Sequence, residues 1–441
     1  MIISLISMLC KFDGFVSDLI KFIKDQAKIN EGNIIKIRSI PSKRYLLSIL
    51  KSNMIHFIKE NFLNTLLKVY CMDENAGIYS DTLKFIIFAY SIEECKEYFI
   101  KENFIDNLLD YLNTVITTYD SIYLLRKLEI ILAYMSIMYP NNTPKSEMEM
   151  EKMFSDFIKY DLLTQLAFLE TIEQDINKED ILMIGQPIKN FFNENIMSLP
   201  EEVLRKLLFT FSKFYARNIL TKEIKLVKNT LAISFQYYDD TKRTDFICPI
   251  ILNVFNNENI YTFLMDSANN VQFEFLNRIN DIIVENYIKS DPHIKMDLLE
   301  IFAKIFLYKE SNWNMQESYI NELLRILYKN NKGKDAKNDN EAISDFVDGL
   351  YNDFKRFDLP DYEVCFLQCV HCMILNKKLS QLVLSNFELV LYLLNRREKP
   401  KEVCMEKYNL IKDIVNKSDL IKLMSKEFAS QFEGYMSKGP Y

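Results

Sequence analysis

Four helix-start signals recur at an almost fixed interval, and that interval restricts the possible folds more than any other feature. Ser80-Asp81 precedes Thr82–Ile92, Asp120 precedes Ser121–Met138, Asp161 precedes Leu162–Ile172, and Pro200 precedes Glu201–Tyr215. These starts stand 39, 41 and 39 residues apart. Further helices of the same type begin near Asn269-Asn270, at Asp291-Pro292 and at Asp361. An Asp in such a place accepts from the free N–H groups of a first helical turn. In the unit from Tyr160 to Ile172, Leu162, Leu166, Leu169 and Ile172 return at helical spacing, and Leu163 and Phe168 widen the stripe. Thr164, Gln165, Glu170 and Thr171 are left for the other side. One such helix cannot bury its own stripe and needs neighbours of the same kind. A self-similar period of about forty residues is the mark of HEAT or armadillo arrays, in which each helical unit touches only its neighbours.

Composition agrees with an all-α chain. The 32 Phe and 25 Tyr supply a continuous core, while only 8 Gly and 10 Pro leave too few tight turns for a sandwich, a barrel or a doubly wound sheet. The expected organisation is one solenoid over 1–441. It has capping helices in 1–79, central repeats in 80–328, a polar mobile loop at 329–342, and C-terminal repeats with a tail in 343–441. The run Lys329–Asn340 has no apolar residue except Ala336, so burial cannot offset the cost of ordering it. Lys145–Lys152 reads as a long polar loop, and Ile184–Pro187 and Tyr238–Lys242 read as further breaks.

The net charge of −7 and a pI near 5.4 disfavour nonspecific nucleic-acid binding, which depends on neutralising phosphates. The most basic stretch, Lys36–Lys51 with Arg38, Lys43 and Arg44, reads as an exposed helix start after Pro41. Eight scattered cysteines, at 10, 71, 95, 248, 365, 369, 372 and 404, mostly lie in apolar runs, which fits a reducing cytosol or nucleus. Met1–Leu9 has neither a basic segment ahead of it nor a cleavage site behind it, so it is not expected to act as a leader. No apolar run reaches the length of a membrane span.

Little here points to chemistry. The three His residues, His56, His293 and His371, are far apart, and no glycine-rich phosphate loop, H-E-x-x-H or G-x-S-x-G pattern occurs. Cys365, Cys369, His371 and Cys372 have a spacing that could be called zinc-like. On a helix, however, the three cysteines share a stripe with Tyr362, Phe366 and Met373, and His371 points elsewhere. Core packing is the reading for this group. Glu147, Glu149 and Glu151 alternate in the expected loop and read as solvated. No nucleophile stands beside a base, so no catalytic, cofactor-binding or metal-binding residues are expected, and the chain is not expected to be an enzyme.

The C-terminal blocks are more specific. Leu359-Pro-Asp-Tyr-Glu-Val-Cys-Phe-Leu-Gln-Cys-Val370 is followed by Phe387-Glu-Leu-Val-Leu-Tyr-Leu-Leu-Asn-Arg396, Glu398, Lys407-Tyr408-Asn-Leu-Ile411 and Tyr435-Met-Ser-Lys-Gly-Pro-Tyr441. This order resembles the end of the proteasome non-ATPase regulatory subunit five family, chaperones of base assembly. There an aromatic-apolar helix ends in an acidic or amide residue plus Arg, a Lys-Tyr helix follows, and a Tyr-x-Ser-x-Gly-Pro-Tyr tail comes last. Tyr160-Asp161, Leu163, Gln165-Leu166 and Glu170 look like that family's mid-chain repeat helix. The polar insertion at 329–340 and the stop at Tyr441 depart from the pattern.

The resemblance implies a right-handed, C-shaped armadillo/HEAT-like solenoid that holds the C-terminal helical domain of one ATPase subunit of the proteasome regulatory particle. That grip would block premature docking on the core particle and would need no cofactor, nucleic acid or membrane. The protein would be a monomer apart from its partner, in the cytoplasm, with the nucleus as a second option. The groove would be lined by the helices that begin at Asp81, Asp120, Asp161, Pro200 and Asn270, with Lys127, Gln165, Glu170, Arg205 and Asn277 as candidate partner-binding residues. The alternative is a helical-repeat adaptor for another partner, such as a transport receptor or a ribosome-bound factor.

Overall fold

A computed structural model describes residues 40–52, 61–115, 121–138, 144–175, 199–217, 224–257, 270–287, 291–307, 313–357, 359–396 and 399–440, with Asp18, Lys21 and Met54 besides. Among these residues the regular secondary structure is all helical, with no strand. The chain falls into two compact units, Met1–Leu207 and Leu208–Tyr441.

The first unit holds α1 (Ile40–Ser52), α2 (Asn61–Cys71), α3 (Ala76–Tyr90), α4 (Glu93–Lys101), α5 (Phe104–Val115), α6 (Ser121–Met138), α7 (Pro144–Asp156), a 3₁₀ turn (Phe157–Lys159), α8 (Leu162–Asp175) and the start of α9 (Glu201–Ala216). Its helices stack in two rows. One row runs α1, α3, α6, α8 and the other runs α2, α5, α7. This is helical-repeat packing, each helix lying on the next of its own row.

The second unit follows the same rule. It contains α10 (Ile224–Thr241), α11 (Thr244–Phe255), α12 (Asn270–Tyr287), α13 (Pro292–Phe306), α14 (Trp313–Lys332) and α15 (Asp339–Phe357). It continues with α16 (Pro360–Leu375), α17 (Lys377–Ser385), α18 (Phe387–Leu394), α19 (Lys401–Asn416), α20 (Ser418–Ile421) and α21 (Lys426–Ser437). Helices α11, α13, α16 and α19 form one row, and α10, α12, α14, α15 and α17 the other. α13 is covered on most sides, which is why Leu298, Leu299, Ile301, Phe302, Ile305 and Phe306 are all buried. A helix in the middle of a row has a neighbour on each flank and can afford no polar face there. The second row is also tied by buried amides of α12. Asn286 donates to the Tyr238 hydroxyl at 2.8 Å, and the Tyr319 hydroxyl donates to Asn280 Oδ1 at 2.6 Å.

Several boundaries differ from the sequence expectation. Ser121, Leu162, Glu201, Asn270 and Pro292 begin helices as expected. Ser80-Asp81 does not. The helix there begins at Ala76, capped by Asn75, whose Oδ1 accepts from Gly77 and Ile78. Lys145–Lys152 is not a loop but most of α7, because Met150, Met153, Phe154 and Phe157 supply a buried stripe among the charges. The break at Tyr238–Lys242 narrows, since α10 runs through Thr241 and only Lys242 turns left-handed, with φ 52°. The polar loop shrinks likewise. α14 continues through Lys332 and α15 starts at Asp339, with Lys337 N–H donating to Glu341 and Glu341 N–H to Asn338. The break at Ile184–Pro187 and the segment Met1–Leu9 lie outside the described residues, and no helix among those described is long and apolar enough to cross a membrane.

Candidate functional site

The five candidate contact residues do not share one environment. Lys127, on α6, is 4% exposed. Its ammonium donates to Glu149 Oε2 at 2.5 Å and Asn113 Oδ1 at 2.7 Å, and Asn113 donates in turn to Glu149 Oε1 at 2.7 Å. The three side chains knot α5, α6 and α7 together. Burial pulls the Lys127 pKa down and the Glu149 carboxylate opposes it; for Glu149, burial pushes upward but the Lys127 hydrogen bond wins and holds the carboxyl low.

Gln165 is also inside, with Nε2 donating to the Phe157 carbonyl at 3.0 Å. Glu170 is exposed, Arg205 and Asn277 are half-buried, and Arg205 Nε has no hydrogen-bond partner. Lys127 and Gln165 are therefore held by partners within the first unit. Asn277 belongs to the second unit.

The reason lies in the rotation of α8. Asp161 caps it, accepting from the Thr164 amide at 3.0 Å and the Thr164 hydroxyl at 2.5 Å. With Thr164 held at the cap and Gln165 reaching back to the 3₁₀ turn, the buried face becomes Thr164, Gln165, Phe168, Leu169 and Ile172. Leu162 and Leu163 face outward, Leu163 at 75% exposure. Each residue turns a helix by about 100°, so a stripe displaced by one or two positions exchanges inside for outside.

The other features flagged in the sequence find partners within their own unit, although Arg44 and Lys51 stay exposed, as expected of an exposed helix start. Lys43 pairs with Asp73, Arg44 with Asp81 at 3.1 Å, and Lys51 lies 4.7 Å from the centre of the Phe88 ring. The basic stretch thus spends much of its charge within the unit; Lys36 and Arg38 lie outside the described residues. In the cysteine group, Cys369 is fully buried and burial pushes its thiol well up. Burial likewise takes Cys365 to about 12 and Cys372 to about 11, with Glu300 beside Cys365 adding to its shift. Thiols so protonated pack as small hydrophobes. His371 turns to Asp413, with Nε2 at 2.9 Å from Oδ2.

The C-terminal residues do converge. Lys407, on α19, is 4% exposed, and its ammonium donates to the carbonyls of Tyr392 and Asn395 at 2.9 and 2.8 Å. The Tyr392 carbonyl also accepts from the amide of Asn395, the residue just past α18, and the lysine adds a second donor that closes the C-terminal end of the helix. Burial brings the Lys407 pKa down to about 8. The Tyr392 hydroxyl donates to Glu363 Oε1 at 2.5 Å, and Lys399 pairs with Glu363 Oε2 at 2.9 Å. Arg396, just past α18, lies over the ring of Tyr435 and donates to the carbonyl of Gly439. Gly439 has φ 76°, a conformation that glycine adopts without strain. Glu398 and Tyr441 lie outside the described residues. The geometry is a carboxylate, two ammonium groups, a guanidinium and two phenol rings locking α16, α18, α19 and α21. The Cys404 thiol joins the same corner, donating to the Lys399 carbonyl at 3.5 Å.

No family model matches the chain, and no curated protein matches it. A solved structure similar to it is the crystal structure of an engineered protein, at TM-score 0.42 and 10% sequence identity, covering 91% of this chain and 94% of that one.

Proposed function

We propose that this protein is a chaperone for assembly of the proteasome regulatory-particle base, holding the C-terminal helical domain of an ATPase subunit and delaying its docking on the core particle. The observation that carries the reading is the meeting of Arg396, Lys407, Tyr435 and Gly439. These residues are scattered over about forty positions of sequence, and each was singled out by likeness to the chaperone family. In the fold they are bound to one another or to the same short helix. In this fold those residues build one packed corner, whereas spaced apolar residues are shared by all helical repeats.

Stacked helices suit the task. They present many side chains along an extended face, and a few aromatic or Arg anchors on such a face carry most of the affinity. The protein so described performs no reaction and needs no nucleotide or metal. Affinity purification of the tagged full chain from extract of its own cells tests the reading. An ATPase subunit of the base should co-purify without core-particle subunits. Recovery of neither, or of intact active proteasome alone, rejects it.

A further inference from the structure

We propose that the groove between α15 and the start of α18 is a docking site for a partner's peptide segment that carries an arginine beside apolar residues. The groove has a volume of about 480 Å³. Val347, Asp348 and Tyr351 of α15 line it, together with Leu382 of α17 and Phe387 and Glu388 of α18. Ligand clefts in proteins run from about 300 to 1,000 Å³. This one has room for a long side chain and the backbone that bears it.

Charge selects the chemistry of the segment. Asp348 and Glu388 are the charged residues that line the groove, and among the described residues no Lys or Arg joins them. Glu388 is answered by Lys355, whose ammonium also lies 4.2 Å from the centre of the Tyr351 ring. Asp348 is not answered. It is exposed, forms no ion pair among the described residues, and takes a hydrogen bond from the Asn386 amide to Oδ1 at 2.8 Å. Burial, then Asp345 and Glu388, push its carboxyl up, against the Asn386 hydrogen bond and the Lys332 ammonium. That ammonium is itself taken up by Asp345 at 2.7 Å. The helix ends add no net sign, because the carbonyl end of α17 and the amide end of α18 meet at Asn386 and their end charges oppose. One negative charge is therefore in excess, on a side chain that solvent reaches.

Beside that charge stands an apolar platform. Phe387 is 60% exposed, and Leu391, four residues on in α18, is 45% exposed. Positions four apart in a helix share a face. The Phe387 ring also meets the Phe428 ring of α21 edge-on, with centres 5.7 Å apart, which holds it beside the groove. Single exposed apolar residues are ordinary, but two on one face next to a carboxylate without a cation call for a partner. A guanidinium suits both features. Its flat face stacks on an aromatic ring while its N–H groups reach a carboxylate, and an ammonium has no such face. Leu391 then offers apolar surface to a neighbouring leucine of the segment.

The test is calorimetric titration of the full-length chain with a capped pentapeptide, glycine–arginine–leucine–leucine–glycine. Its twins carry lysine, or citrulline, the neutral relative of arginine with nearly the same shape. The arginine peptide should bind with a Kd of about 100 μM, the lysine peptide about threefold more weakly and the citrulline peptide about tenfold more weakly. Asp348→Asn should weaken the arginine peptide about tenfold and Phe387→Ala about threefold, with Tm read first to show that each variant is folded. The citrulline comparison uses the parent chain and so decides the matter even where a variant fails to fold. The proposal is overturned if the citrulline or lysine peptide binds as tightly as the arginine peptide, or if the arginine peptide does not bind at up to about 2 mM. A folded Asp348→Asn protein that binds it unchanged also overturns the proposal. Capture of an ATPase subunit is a separate measurement, and either can fail without the other.

Discussion

The guanidinium of Arg396 lies over the ring of Tyr435, 4.3 Å from its centre, and joins the end of α18 to α21 across the C-terminal corner of the second unit. The same guanidinium donates to the Gly439 carbonyl. Tyr435 is buried, so the contact is partly shielded from water, where a cation over a ring is worth more than at an open surface. A double-mutant cycle of Arg396→Ala and Tyr435→Leu, followed by urea denaturation, should give a coupling of about 0.5–1 kcal/mol. Additive effects would mean that the two side chains act separately.

The start of α3 offers a direct contest between two caps. Asn75 accepts from the Gly77 and Ile78 amides, whereas Asp81 stands inside the helix and pairs with Arg44 at the surface. Asn75→Ala should cost about 1 kcal/mol. Asp81→Ala should cost less than about 0.5 kcal/mol, since exposed ion pairs contribute little. Urea midpoints of the two variants decide the order, and the reverse order would return the helix start to Ser80-Asp81.

That contest also shows what could be read without coordinates. Caps and apolar spacing are local, so Asp291 before Pro292 or Asp161 before Leu162 reveals a helix start directly; Asp291 accepts from the His293 and Ile294 amides. An Asp that pairs with Arg44 looks the same in sequence as one that caps, and only the neighbouring helix tells them apart. Burial is harder still. Met150 and Met153 hide among the charges of α7, and Lys127 reads as surface until Glu149 and Asn113 are brought to it from other helices.

Asp297 on α13 gives the fold a pH dependence of predictable sign. Burial pushes its carboxyl up to about 6, Glu300 and Asp245 push the same way, and His293 opposes them. The folded pKa exceeds the unfolded value of about 3.9, so folding favours the protonated form. The stabilisation it brings is complete below about pH 4 and is lost as the pH rises through about 6. Asp297→Asn should therefore stabilise at pH 7, by about 1 kcal/mol once solvent screening is allowed for, and the gain should vanish by about pH 4. Tm of both proteins across that range is the measurement. A gain that does not change with pH would exclude titration as its source.

The buried ion pair of the first unit allows folding to be tested apart from the proposed partner binding. Lys127→Met leaves the Glu149 carboxylate facing Asn113 without its cation, which should cost about 2–3 kcal/mol. Replacing both partners, as in Lys127→Met with Glu149→Leu, removes the stranded charge and should recover most of that loss. If Lys127 acts only in packing, the double variant should capture the proposed ATPase-subunit partner as the parent chain does at a temperature where both are folded. Denaturation midpoints and co-purification are read on the same samples. A double variant that is as stable as the parent but captures nothing would put Lys127 back among the contact residues, and its burial in the free protein would then have to open on binding.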